Sequence, residues 1–250
     1  MRVVIHHALV ARRGRLARIG SLTGLALLLI SIVSYWIFFS QLTDLPQAWL
    51  FGLYAVVILG FVLGSYGNRQ MTYWALEPRA DQTLARGLKG LDHRYHLYNY
   101  ILPAKHLLLS PSGLTVLLPK GVDGRVSCVR DRWQRNFSLL RLLRGFGPEP
   151  LGNPTLDVQQ QMGQLRRYLQ QHLPEEEIEL QGLIVFTHPQ VILEVAGPSV
   201  PVLPLRGLKS HLRKLGKREN LSAATRQALQ NLFDDAARAA KALEEKQAEE

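Results

Sequence analysis

The chain has 250 residues, 47% of them hydrophobic, with a formal net charge of +10 and a single cysteine, Cys128. One cysteine excludes an internal disulfide and a cysteine metal cluster, and it suits a reducing compartment. The positive balance favours anionic partners, lipid headgroups or nucleic acid, without separating the two.

The apolar residues are unevenly placed. No charged residue occurs from Ile19 to Ser40 or from Pro46 to Asn68. A bilayer core of roughly 30 Å needs about 20 helical residues, and each run supplies about that many. Two transmembrane helices are therefore expected, over 19–40 and 46–67, as a hairpin. The first run is longer than the apolar region of a cleaved leader and ends in no small-x-small site. Neither span carries an ionisable residue, which points to an anchor rather than a transport path.

Orientation follows from the basic residues. Arg12, Arg13, Arg15 and Arg18 precede the first run, Arg69 and Arg79 follow the second, and the connection Gln41 to Gln47 holds only Asp44. The positive-inside rule places residues 1–18 and everything after the second span in the cytoplasm, at the inner face of the cell membrane. Tyr35, Trp36 and Trp49 near the outer ends, and Tyr66, Tyr73 and Trp74 near the inner ends, suit interfacial belts.

Beyond the hairpin the pattern changes to short elements. Pro78 to Leu91 reads as a helix, with Leu84, Leu88 and Leu91 at helical spacing. Strands are expected at Tyr95–Leu102, Lys105–Ser110 and Leu114–Leu118, the last two joined by the turn Pro111-Ser112-Gly113. Their near-continuous apolar character suits burial on both faces. Val126–Arg130 follows the turn Val122-Asp123-Gly124-Arg125. A short helix is expected within Arg135–Gly147, a longer one from Pro154 to Leu173, and strands at Leu183–Thr187 and Val191–Val195. This order gives an α/β (α+β) domain over 78–200, a mixed sheet flanked by helices.

The tail, 205–250, is helical. Leu205, Leu208, Leu212 and Leu215 form a stripe among Arg206, Lys209, Arg213, Lys214, Lys217 and Arg218. Such a helix either lies on a membrane surface, binds nucleic acid, or packs its stripe and leaves a solvated basic face. From Ser222 a second stripe runs through Leu229, Leu232, Phe233, Ala236, Ala240 and Leu243 into the charged end.

Signature motifs of metalloproteases, nucleotide-binding loops and hydrolase elbows are missing. His93 and His96 lie close together without acidic partners, and His188 sits before a proline. None makes a metal site, and no cofactor is expected. One resemblance stands out. The stretch Tyr98-Asn99-Tyr100-Ile101-Leu102-Pro103-Ala104-Lys105-His106, its apolar continuation, the Ser110-Pro111-Ser112-Gly113 turn and Leu114 to Lys120 are similar to the nuclease-related (NERD) domain. Gly124-Arg125-Val126, Trp133 and Leu183-Ile184-Val185-Phe186 extend the likeness to about half the chain. The resemblance implies a restriction-endonuclease-like fold with an Asp, a Glu and a Lys around a divalent cation. Here Lys105 stands at the Asp position and Leu118 at the Glu position, while Lys120 and His106 are retained. Hard oxygen ligands are thereby lost, and Glu77, Asp81 or Asp92 alone would not rebuild them.

The function expected from the sequence is a membrane-anchored, non-catalytic binding or scaffolding module of that fold. Its partners are the bilayer, with anionic headgroups, and a protein partner left open. Lys105 and Lys120 either contact a phosphate or nucleic acid or are simply solvated at a sheet edge, and the basic tail offers a second surface for lipid or nucleic acid. The alternatives are an active metal-dependent nuclease of the same fold and a membrane-associated nucleic-acid binder.

Overall fold

The computed structural model describes residues 1–38, 47–136, 150–176, 178–216 and 221–249. The short helix expected within 135–147, the connection around Asp44, and Lys217 and Arg218 lie outside these residues. Two units make up the chain, and each is taken by itself.

The first unit contains the hairpin. Helix α1 spans His7–Phe38 and α2 spans Gln47–Trp74. At 1.5 Å per residue they measure about 48 and 42 Å, longer than the hydrocarbon core of a bilayer. The apolar runs are therefore parts of longer helices, which continue through the basic residues instead of ending at them. Both helices are long and apolar enough to cross a membrane, and only 17% of each apolar window is buried. A core helix of a soluble domain would be covered; here Trp36 is 80% exposed, Phe51 71% and Leu22 66%.

Glycine determines how the helices meet. Facing pairs run from Phe38 with Trp49, their rings edge-on at 5.2 Å, through Gly24 with Gly64 and Gly20 with Gly67, to Gly14 with Trp74. The antiparallel pairing keeps one register from end to end. Gly20 and Gly24, and Gly60 and Gly64, are spaced as in helix pairs whose backbones touch. Ser31, buried in α1, donates its hydroxyl to the Leu27 carbonyl at 2.7 Å, so no polar group there is left unpaired.

The second unit is α/β. Its main sheet has six strands in the order β1-β2-β3-β4-β7-β9: β1 Arg2–Ile5, β2 His96–Asn99, β3 His106–Ser110, β4 Gly113–Lys120, β7 Leu180–Phe186 and β9 Val202–Pro204. A smaller sheet, β6-β5-β8, comprises β5 Gly124–Val129, β6 Arg132–Arg135 and β8 Val191–Ala196. Strands β2, β3 and β4 form an antiparallel meander, and β7 then pairs parallel to β4. The parallel pair β4/β7 continues past a kink as the parallel pair β5/β8. Gly113 at the β3–β4 turn has φ +130°, a conformation glycine tolerates, and its carbonyl accepts from the Ser110 hydroxyl at 2.9 Å.

Alternation along the strands separates two cores. Leu107, Leu109, Leu114, Val116 and Ile184 face α4 (Pro154–His172) and α6 (Ala223–Glu249), where Val158, Leu165, Leu229 and Phe233 close the layer. Leu97, Leu108, Leu117, Leu183 and Val185 face α3 (Ala80–Gly87) and α5 (Leu205–Leu215), against Leu84, Leu88, Leu208 and Leu212. Helices thus cover both faces of a sheet whose strands are apolar on both sides, as expected from the sequence.

Two expectations need correction. Residues 1–18 are no simple basic leader: Arg2–Ile5 is an edge strand parallel to β2, and α1 begins at His7. The single mixed sheet is two sheets, because the chain turns at Gly121–Asp123. Of the alternatives left open for the stripe of α5, the structure takes the packed one: Leu208 is fully buried and Leu212 2% exposed, so the stripe is closed to a membrane surface.

Candidate functional site

The positions singled out by the sequence lie at the kink. The helix α4 begins there with every local signal for a start. Asn153 caps it by accepting from the Leu156 N–H at 3.2 Å, Pro154 occupies the first turn, and Asp157 sits where the helix dipole favours a carboxylate. This places Asp157 against the end of β4. Lys120 Nζ donates to Asp157 Oδ2 at 3.0 Å; the lysine side chain is 8% exposed and the aspartate 42%. The Lys120 carbonyl accepts from the Thr187 N–H at 2.9 Å, which fixes the lysine at the junction of β4 and β7.

Lys105 immediately precedes β3 and is exposed. Its N–H donates to Gln161 Oε1 at 3.0 Å, and its carbonyl accepts from the Tyr100 N–H at 2.7 Å. Pairing of β3 with β4 ends at Leu107 with Val116, so Lys105 lies just before the paired residues. Leu118 is part of the core on the face toward α4. Leu118 and Lys120 lie two residues apart on one face of β4, and Lys105 stands at the entry to the neighbouring strand β3. Asp157 and Gln161, one helical turn apart on α4, stand over them.

On the opposite face lies a buried polar cluster that extends from β2 and β3 to α3. His106 Nδ1 and Asn99 Oδ1 are 2.8 Å apart, Asn99 and Asp81 are fully buried, and the Tyr100 ring meets His106 edge-on at 4.9 Å. Burial pushes the His106 pKa down to about 3, so the ring is neutral and donates from Nδ1 to the amide oxygen. The Asn99 amide nitrogen has no hydrogen-bond partner among the described residues.

Beyond the kink, Trp133 Nε1 donates to Thr155 Oγ1 at 2.8 Å, and Thr155 donates to Asp131 Oδ1 at 3.1 Å. Asp131 also accepts from the Ser199 N–H at 3.0 Å, which holds its carboxyl below the usual range. This network ties the small sheet to the start of α4. Cys128 is buried in the small sheet, and burial raises its thiol pKa.

The basic tail residues divide. Lys209 Nζ donates to the Lys89 carbonyl at 2.6 Å and Arg213 to the Gly90 carbonyl at 3.2 Å, both in the turn that follows α3. Arg206 and Lys214 are exposed. His96 Nε2 lies 3.1 Å from the His93 carbonyl, and His188 Nδ1 accepts from the Gln190 N–H, so each histidine is used locally. Among the described residues no group of three or more His, Cys, Asp or Glu could hold a metal ion.

Sequence reasoning missed Asp157 and Gln161. The Asn-Pro-x-x-Asp helix start marked the aspartate as a first-turn acid, but its partner lies 37 residues earlier. Comparison with family models, with curated proteins and with solved structures finds no match.

Proposed function

We propose that this chain is a membrane-anchored protein whose cytoplasmic domain has a nuclease-related, restriction-endonuclease-like fold and serves as a non-catalytic binding or scaffolding module. The observation that supports this reading is what stands at the three positions the resemblance singles out. Leu118 fills one carboxylate position, Lys105 occupies the other, and the remaining lysine is neutralised by Asp157. A phosphodiester hydrolase of this type needs at least two oxygen ligands for its cation and a lysine free to face the water or phosphate.

Support for the fold comes from the main-sheet elements in chain order, α3, β2, β3, β4 and, after the hairpin β5–β6 of the small sheet, α4 and β7: a helix, an antiparallel meander and a crossover containing a helix to a parallel strand. Support for the anchor comes from the exposure of large apolar side chains along both helices, since water would not tolerate so continuous a patch. Strand β1 adds a constraint. It precedes the hairpin yet pairs with β2, which follows it, so two crossings return the chain to its starting side.

The reading is tested with the full-length protein in detergent. Incubation with DNA and Mg²⁺ or Mn²⁺ gives no cleavage if the module is non-catalytic, and metal-dependent cleavage would overturn it. A converse test restores the ligands. Lys105→Asp with Leu118→Glu should create Mn²⁺ binding measurable by spin resonance, because it restores the two oxygen ligands that the resemblance implies. A folded double variant that binds no Mn²⁺ would count against the fold reading.

A further inference from the structure

The cytoplasmic end of the hairpin carries charge that its own helices do not answer. Neither α1 nor α2 contains an Asp or Glu. Arg12, Arg15 and Arg18 follow one another at three-residue spacing on α1 and are exposed. The α2-facing line of Gly14, Ala17 and Gly24 lies on another side of the helix. Arg69 on α2 is also exposed, and the pairing of Gly20 with Gly67 sets it level with Arg18. None of these four arginines forms an ion pair with a described residue. Arg13 differs, since its guanidinium lies 4.8 Å over the Trp74 ring, which gives it a partner within the hairpin.

Height along the helix selects the ligand. Counted from Ile19, where the apolar run begins, Arg18, Arg15 and Arg12 lie about 1.5, 6 and 10 Å beyond it. The headgroup layer of one leaflet is about 5 to 8 Å thick. Arg18, Arg69 and Arg15 therefore fall within that layer, and the long side chain of Arg12 can reach back to it. Guanidinium groups bind phosphate oxygens in pairs of parallel hydrogen bonds and keep their charge at any physiological pH. A nucleic-acid strand seated on Arg18 would have to displace the lipids around it.

We infer that Arg12, Arg15, Arg18 and Arg69 form a docking surface for the headgroups of anionic phospholipids. The surface gathers such lipids around the hairpin and fixes its depth. It rests on the anchor reading above and adds the identity of the lipid.

The test uses the full chain reconstituted in phosphatidylcholine nanodiscs doped with spin-labelled phosphatidylglycerol or spin-labelled phosphatidylcholine. The fraction of each label immobilised at the protein gives its selectivity. Wild type should prefer phosphatidylglycerol severalfold, since one basic residue near the surface contributes about fivefold. The preference should fall with added salt. Arg12→Gln/Arg15→Gln/Arg18→Gln/Arg69→Gln should bring it close to one, the corresponding four-lysine variant should retain it, and Arg206→Gln/Lys214→Gln should leave it unchanged. Equal immobilisation of both labels in wild type, or an undiminished preference in the glutamine variant, would overturn the inference. So would a DNA oligonucleotide that binds through the four arginines while lipid selectivity is absent. Failure of the anchor reading looks different: the chain would then be released from vesicles by alkaline carbonate.

Discussion

Close approach of the two hairpin helices yields the sharpest stability prediction, because glycines that face each other are not equivalent. A Cβ added at Gly24 would lie 2.2 Å from Gly64 N, 2.4 Å from Gly64 Cα and 2.7 Å from the Gly60 carbonyl oxygen. All three are backbone atoms, so no rotamer change relieves the clash and the helices must separate by about 1 Å. Overpacking of this kind costs about 1–3 kcal/mol. A Cβ at Gly64 meets nothing closer than 3.7 Å, and one at Gly52 meets nothing within 4 Å. Every one of these substitutions gains the helix propensity of alanine, about 1 kcal/mol. The difference between Gly24→Ala and Gly52→Ala therefore isolates the clash. The assay is unfolding in mixed micelles of rising sodium dodecyl sulfate, on a Trp133→Phe background so that emission comes from Trp36, Trp49 and Trp74. Gly24→Ala should be less stable than Gly52→Ala by about 1–3 kcal/mol, with Gly64→Ala resembling Gly52→Ala. Equal stability of Gly24→Ala and Gly64→Ala would refute the packing described.

At the kink, the two halves of the ion pair should respond unequally. Asp157→Asn removes the carboxylate that faces a buried ammonium and should cost about 1–3 kcal/mol, whereas Lys120→Met removes the ammonium from a half-exposed carboxylate and should cost less in a denaturant titration. His106 gives the domain an acid-sensitive limb. Its folded pKa, about 3, lies below the ordinary 6.5, so the unfolded chain takes up a proton first as pH falls. The stability present above pH 6.5 is lost progressively toward pH 3, and burial of His96 acts with the same sign. Urea titrations across that range should show a shallower fall in His106→Gln. Cys128, buried and with its thiol pKa raised, should resist maleimide until the domain unfolds, so labelling and loss of circular dichroism should coincide.

How much of this was legible in the sequence depended on the range of the interaction. The hairpin, the β3–β4 turn and the start of α4 rest on signals within a few residues: charge-free runs, Pro-Ser-Gly, Asn-Pro. All three stand in the structure, although both apolar helices outrun their apolar stretches. Strand β1 was hidden because Arg2–Ile5 is short and finds its partner more than 90 residues later, across the hairpin. The leucine stripe of α5 was visible, but only α3 and the sheet decide that it faces a core. The paired glycines at 20, 24, 60 and 64 were open to view. Their meaning required the register of two helices, and that register fixes which glycine of each pair tolerates a side chain. At the candidate site, Lys105, Leu118 and Lys120 could be singled out only through a resemblance, whereas the aspartate that neutralises Lys120 came from a helix placed by tertiary contacts.

The central claim is a hairpin that crosses the membrane twice and returns the chain to a domain on the side from which β1 began. Single cysteines tested with a membrane-impermeant maleimide examine it most directly. On a Cys128→Ser background, Thr43→Cys should be labelled only in right-side-out vesicles. His93→Cys, at an exposed site of the domain, should be labelled only in inverted ones. An N-terminal tag should become protease-accessible together with His93→Cys. Labelling of both cysteines from the same side would contradict the account.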